Sequence, residues 1–347
     1  MVRVIGIDPG TKSFDFCGLE DDTVILDTSV STEEIIRDSG LLSDIILETA
    51  ADLVVGPSGF GIPVTGIEDI GERELFLMSL IKKEDRKKNT LGMRASINRM
   101  KQKKLPVFFI PGVIHLPTVP NFRKLNKIDM GTADKLCCAA LGIRDQALKY
   151  NKDFRETSFI LLEMGFGYTA AVALKEGKIV DGVGGSSGNI GFLSLGGMDA
   201  ELAYLLGGFN KELIFRGGVA TLAKTPDDLM GNRDALNAYV ESAVKDVIQL
   251  TASAKPREIL VSGRISRVKG LFDELKKRFD FPVRRLEGFP VKNVKEAAQG
   301  AALIANGLAG GKYSEIIDAM QVREAKGTSL DYILLPEIDI LKKDYGV

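Results

Sequence analysis

Three short stretches of this sequence combine glycine with charge in a way that suits phosphate chemistry. Asp8-Pro9-Gly10-Thr11-Lys12-Ser13 follows an apolar run and joins an acid to a glycine turn. Gly10 and Thr11 would bring backbone N–H groups up to phosphate oxygens, Lys12 would neutralise their charge, and Asp8 would place a magnesium ion through water. The pattern returns 155 positions later as Glu163-Met164-Gly165-Phe166-Gly167, where Gly165 and Gly167 would let a second turn touch the same phosphates. A third stretch, Ser262-Gly263-Arg264, ends the apolar run Ile259-Leu260-Val261 and would leave room for a nucleotide's base and ribose.

Further residues could do chemistry but have ordinary readings as well. Asp134, just after Met130-Gly131-Thr132-Ala133, could take a proton from an alcohol or water, or could simply be an acid at a helix N-terminus. Asp181 carries the same ambiguity. Positive charge for a transferring phosphoryl group could come from Lys12, Arg216, Arg264 or Arg94. Gly182, Gly184, Gly185, Gly188, Gly191, Gly196 and Gly197 crowd one stretch, which is either a substrate loop or a set of tight connections. Cys137 and Cys138 are adjacent on a helical pattern, point to different faces and are expected in the core, while His115 is expected to be buried against a backbone partner.

The elements that must position these residues can be read from periodicity. Val2–Asp8, Phe14–Leu19 and Thr23–Leu26 form a strand meander, and Ser158–Glu163, Tyr168–Leu174 and Ile179-Val180 repeat it. An offset of this length marks a duplicated domain, because solenoid periods are roughly 20–50 residues. Helical patterns occupy 31–49, 134–150, 199–206, 227–253, 268–279 and 294–308, with apolar strands at 52–56, 106–111 and 258–261. The fold class expected is therefore α/β, with a lobe at 1–150, a second at 151–325, and a tail at 326–347 that packs on a lobe or meets a second copy of the chain. Ala297-Ala298-Gln299-Gly300-Ala301-Ala302 has almost no side-chain bulk and suits a helix pressed against another backbone.

Composition narrows the classes further. A chain of 347 residues with 45% hydrophobic and 27% charged residues can bury a core in each of two lobes. Lys and Arg number 46 against 47 Asp and Glu, so no global field draws nucleic acid or anionic lipid. Three cysteines and one histidine cannot build a zinc site, and no stretch reaches the ~18 uncharged apolar residues of a membrane span. The expected compartment is the cytoplasm. The largest local asymmetry is residues 82–104, with ten Lys or Arg against Glu84 and Asp85. It lacks aromatic residues for base stacking, which argues against nucleic acid as its partner.

The paired turns, the 259–264 stretch and the small-residue helix together resemble the superfamily of acetate and sugar kinases, heat-shock chaperones and actin. Within it, Ile7–Ser13, Val54–Gly59 with Ile62-Pro63, Gly177–Asp181, Gly188–Ser194, Arg216-Gly217-Gly218 to Asp227, and Glu287-Gly288 to Ala302 are similar to butyrate kinase, including an archaeal group assigned to that activity by inference. The resemblance implies two duplicated ribonuclease H-like, actin-like ATPase domains around a cleft, with ATP and Mg²⁺ as cofactors. It also implies a small-molecule carboxylate as substrate, contacted by Gly59, Phe60, Ile62 and Pro63, and a homodimer as a candidate assembly. Two departures accompany it: the family carries histidine where Glu163 stands, and arginine near Pro57 and Ser58. Two other readings stay open, a kinase of an alcohol or sugar-like acceptor with Asp134 as base, and an ATP-binding switch with no transferase activity.

Overall fold

The structure is a computed structural model describing residues 1–10, 12–38, 40–85 and 88–347, the side chains of residues 88–93 excepted. Among the described residues eleven strands form two sheets. The first holds β1 (Arg3–Pro9), β2 (Ser13–Glu20), β3 (Thr23–Ser31), β4 (Leu53–Val55), β5 (Thr65–Gly66) and β6 (Val107–Phe109), in the order β3-β2-β1-β4-β6-β5. The second holds β7 (Ile160–Met164), β8 (Thr169–Lys175), β9 (Lys178–Val183), β10 (Ile259–Ser262) and β11 (Val283–Arg285), in the order β11-β10-β7-β8-β9. In each, an antiparallel meander is followed by two parallel strands added beside its first strand. The repeat expected from the two meanders thus extends to five strands of each sheet, to which the first adds β5 antiparallel to β6.

The helices are α1 (Thr32–Arg37), α2 (Leu41–Thr49), α3 (Glu72–Ser79), α4 (Lys88–Gln102), α5 (Asn121–Lys124), α6 (Ala133–Tyr150), α7 (Ala200–Leu206), α8 (Arg233–Leu250), α9 (Leu271–Lys276), α10 (Glu296–Leu308), α11 (Ser314–Met320) and α12 (Ile338–Tyr345). The single helix expected over 31–49 is two. Asp38 breaks it in extended conformation, and its carboxylate accepts the Gly40 N–H at 2.8 Å. The long helix expected from Asp227 begins only at Arg233, because Asn232 caps it by accepting the Ala235 N–H at 3.0 Å.

Period-two alternation divides the core. Ile5 and Ile7 of β1 face a cluster with Phe16 and Phe109, while Val4 faces the space between the sheets. Likewise Ile160, Leu162 and Met164 of β7 face a cluster with Tyr239 and Val247, while Leu161 faces inward. Two helices fill the space between the sheets, α6 and α10. A Cβ on Gly6 would lie 2.0 Å from the Ala302 nitrogen, and one on Gly300 would lie 1.9 Å from the Cys137 carbonyl oxygen. Only glycine permits these approaches, so α10 is pressed backbone to backbone between β1 and α6. The last helix, α12, returns to α3, where the Tyr345 ring stacks on Phe76 at 3.7 Å between centroids. No helix among the described residues is long and apolar enough to cross a membrane.

Candidate functional site

A cleft of about 360 Å³ opens where β1 of the first sheet and β7 of the second end near one another. Asp8 lies at the end of β1 and Glu163 at the end of β7, so the duplication delivers one acid from each sheet to the same space. The turns that follow close its walls: Lys12 from the β1–β2 turn places its Nζ 4.3 Å from the centre of the Phe166 ring in the β7–β8 turn.

Each strand-end acid is held by a lysine from the start of a central helix. Lys295, the residue before α10, places Nζ 2.8 Å from Asp8 Oδ2 and 3.2 Å from Asp15 Oδ2. Asp15 stands directly opposite Asp8 across the β1–β2 pair and is fully buried. Two facing carboxylates repel unless a cation joins them. Asp15 also accepts the Lys295 backbone N–H at 3.0 Å and the hydroxyls of Ser13 and Ser29 at 3.0 and 2.6 Å, which fixes both it and the start of α10. Lys135, in the first turn of α6, sits 2.5 Å from Asp134 Oδ2 and 3.1 Å from Glu163 Oε2. Burial pushes the Asp8 and Glu163 carboxyls upward, and Lys295 and Lys135 only partly offset it. Burial would lower both lysines, but the acids around them reverse this and hold each above the ordinary lysine value.

Asp134 lies in the cleft, yet it is poorly suited to be a base. Burial raises its pKa, but the Lys135 ammonium and the Thr132 hydroxyl outweigh this and hold it below the usual carboxylate range. Asp181 lies away from the lining residues, accepting the Ser253 hydroxyl and facing Arg123 at 3.7 Å.

Part of the lining is apolar, including Phe60, Met78, Ile110 and Phe215, and Lys211 joins it from the segment that ends at Phe215. Lys211 Nζ donates to the carbonyls of Ser79 and Leu80 at 3.2 and 3.3 Å and lies 4.7 Å from the centre of the Phe60 ring. Burial lowers its pKa to about 8, with Asp129 and Asp85 pulling the other way. Elsewhere in the lining Gly263, with φ of 90°, brings the β10 turn against Met164, and the buried hydroxyl of Ser262 has no partner among the described residues.

The other expected site residues divide. Gly10, Gly165, Gly167, Ser262, Gly263 and Arg264 line the cleft, as do Gly59 and Phe60. The Gly10 N–H is turned inward, to the carbonyls of Asp8 and Ser13 at 3.1 and 2.9 Å. Thr11 falls outside the described residues. Ile62 is buried in the first-sheet core, because the turn at Gly61, φ 88°, carries the chain there, and neither it nor Pro63 lines the cleft. Arg216 does not line it either: its side chain is 71% exposed, with Glu212 at 3.7 Å. Arg94 is engaged with Glu72, and of the basic stretch Lys103 pairs with Asp44. The glycine-rich stretch is made of tight connections at its start, since a Cβ on Gly182 or Gly184 would strike Met130 or Asp129. His115 is buried with its ring nitrogen against Gly112, and burial lowers its pKa to about 4.

Lys135, Lys211, Lys295 and Asp129 were not singled out in the sequence. A signal existed for two of them. Asp15 is an acid inside the apolar run Phe14–Leu19, facing Asp8 across a short hairpin, and so calls for a buried cation; Lys135 precedes the apolar run Leu136–Leu141 inside a helix.

The same geometry tests the expected magnesium ion. Mg²⁺ takes oxygens at roughly 2.0–2.1 Å and is usually held by one or two carboxylates plus phosphates and water. The Asp8 carboxylate already has the Lys295 ammonium against it, so a magnesium ion bonded directly to it would have to displace the lysine. As arranged, Asp8 does not fit a directly bonded magnesium ion.

Solved structures share the fold. An acetate kinase from Entamoeba histolytica superposes with a TM-score of 0.58 at 12% identity, over 80% of this chain and 86% of that one. A propionate kinase from Francisella tularensis subsp. tularensis SCHU S4 gives 0.60 at 11%, over 86% and 99%. An acetate kinase from Porphyromonas gingivalis gives 0.58 at 13%, over 87% and 98%. At these identities the likeness establishes the architecture, two duplicated ribonuclease H-like, actin-like domains. A search of curated proteins returns no match to the sequence. Residues 6–335 match the model of a family described as protein of unknown function, DUF1464, and the chain therefore belongs to that family.

Proposed function

We propose that this protein is an ATP-dependent phosphotransferase acting on a small carboxylate, with a butyrate-like acid as acceptor and an acyl phosphate as product, or the reverse reaction. The observation that carries this reading is Lys211, an ammonium 4.7 Å from the Phe60 ring in a charged cleft whose lining also includes Met78, Ile110 and Phe215. A cation at the rim of an apolar wall suits a short acid: the carboxylate meets the ammonium and the acyl tail meets the wall. A polyol would leave its hydroxyls unpaired against those side chains.

In this reading the nucleotide lies between the two glycine turns with its base toward Ser262-Gly263-Arg264, and the acid lies toward Phe60. A carboxylate oxygen attacks the terminal phosphorus in line; the new O–P bond forms as the bridging P–O bond breaks, and ADP leaves with the electron pair. The acid is already ionised at pH 7, so no proton has to be removed and a strong base at Asp134 is not needed. Positive charge around the phosphoryl group comes from Lys12, Lys135 and Lys295. Glu163, where the related kinases carry histidine, brings Lys135 with it, so that the position still presents a cation to the cleft.

A hydroxylamine trap tests the reading. Purified protein with ATP and each of acetate, propionate, butyrate and isobutyrate should yield hydroxamate from one or two acids and far less with Lys295→Gln. Protein that binds ATP yet yields no hydroxamate from any of them would refute the carboxylate acceptor.

A further inference from the structure

The β1–β2 hairpin sets two carboxylates face to face. Asp8 and Asp15 are partners in the strand register, and both are buried. Such a pair can be neutralised by a divalent cation, by a fixed ammonium or by keeping a proton on one acid. This chain uses the second, and it does so with a residue from the far end of the sequence. Lys295 lies 287 positions from Asp8, bonds both acids through Nζ, and is pinned by its own backbone N–H on Asp15.

Its position relative to the phosphate turn is as informative as its partners. A Cβ on Gly10 would lie 2.6 Å from Lys295 Nζ, so the ammonium rests directly on the glycine turn, in the mouth of the cleft. The backbone N–H of Gly10 is spent on the carbonyls of Asp8 and Ser13. The Lys295 ammonium laid over the turn is a donor at that place. The second lobe repeats the arrangement, with Lys135 on Glu163, although Glu163 faces Ala170 and not a second acid.

We infer that Lys295 is a built-in replacement for a protein-held divalent cation: it excludes metal from Asp8 and is itself a phosphate-binding residue, so that the cleft takes a nucleoside triphosphate without divalent metal. The phosphate half rests on the phosphotransferase reading above; the exclusion of metal from Asp8 does not.

Two measurements on the full chain separate the halves. Manganese binding is read by loss of the free-Mn²⁺ electron paramagnetic resonance signal, without nucleotide. ATP binding is read by equilibrium dialysis in EDTA and again in Mg²⁺. Wild type should take up no Mn²⁺ at Asp8, and Lys295→Gln, which frees the facing carboxylates, should bind one Mn²⁺ at least about tenfold more tightly, a gain lost again in Lys295→Gln with Asp8→Asn. In EDTA, wild type should bind ATP within about threefold of its affinity in Mg²⁺, Lys295→Arg should stay near wild type, and Lys295→Gln should lose roughly tenfold or more. Stoichiometric Mn²⁺ on wild type that disappears in Asp8→Asn of unchanged circular dichroism would overturn the inference. So would ATP binding that requires Mg²⁺, or a Lys295→Gln protein that binds metal-free ATP like wild type. If no form binds ATP under any condition, the phosphotransferase reading fails and the phosphate role of Lys295 with it, while the manganese result still decides the exclusion of metal.

Discussion

Replacing Lys211 by methionine keeps most of the apolar stem of the side chain and removes the ammonium, with its charge and its hydrogen bonds to the Ser79 and Leu80 carbonyls. A hydrogen bond to a charged group contributes roughly 1.5–3 kcal/mol, so losing the one proposed between Lys211 and the substrate carboxylate should lower kcat/KM for the acid about tenfold to a hundredfold. The affinity for ATP should not change, because Lys211 lies against the Phe60 ring, where the acid is placed. The pH dependence makes the test sharper. Burial brings the Lys211 pKa down to about 8, the Asp129 and Asp85 charges opposing, so the ammonium of the free enzyme disappears as pH rises through that value. Wild-type kcat/KM for the acid should fall about tenfold per unit above pH 8, since this ratio reports groups of the free enzyme. Lys211→Arg should move that limb beyond reach, because guanidinium keeps its proton, and Lys211→Met should be low and flat. Loss of fold would not mimic this. A lysine held below its unfolded value of about 10.4 binds its proton less readily when folded, so its charge weighs against folding below pH 8 and this cost fades as pH rises toward the unfolded value. Methionine therefore removes a cost at pH 7 while leaving the Ser79 and Leu80 carbonyls without their donor, and the two effects oppose, so the variant should stay folded, with a stability within about 2 kcal/mol of wild type. The reasoning is refuted if the alkaline limb survives in Lys211→Met, or if wild type shows none.

Other consequences follow from particular contacts. Gly300→Ala places a methyl 1.9 Å from the Cys137 carbonyl and should cost about 1–3 kcal/mol in urea unfolding as α10 is forced off α6. Ser262→Ala deletes a buried hydroxyl that has no partner among the described residues; stability should hold or rise by up to about 1 kcal/mol, while the affinity for ADP falls, as dialysis would show. Asp134→Asn should keep more than about a tenth of the acyl-phosphate activity, since a true general base contributes roughly a hundredfold or more, and a larger loss with ATP binding intact would favour an alcohol acceptor. Arg284→Met strands the buried Asp145 and Glu258, which accept from it at 2.6 and 2.7 Å, and should cost about 3–5 kcal/mol by chemical denaturation.

The strands were legible in the sequence because alternation and turn residues are local. The two meanders could be found from Val2–Leu26 and Ser158–Val180 alone, and their offset already paired Asp8 with Glu163. The small-residue run of α10 likewise announced a close backbone approach, which Gly300 makes with α6 and Gly6 with α10. What local pattern could not supply was the partner of each acid. Lys295 and Asp8 are 287 positions apart, and a lysine beside Asn293 and Glu296 looks like any solvated surface residue until the hairpin register sets Asp15 opposite Asp8. Arg216 shows the converse error. It stands in a stretch that resembles the kinases, but the chain there turns outward after Phe215, leaving that ring in the cleft and the guanidinium in solvent. Helix boundaries failed where one side chain decided them, at Asp38 and at Asn232.

The central claim is that this cleft moves a phosphoryl group between a nucleotide and a small carboxylate, and the reverse reaction tests it most directly. Purified protein is mixed with ADP and acetyl, propionyl or butyryl phosphate, and ATP is read by luciferase luminescence. The account predicts ATP with at least one acyl phosphate, strongly reduced in Lys211→Met and in Lys295→Gln. No ATP from any of the three, with protein shown by dialysis to bind ADP, would contradict it.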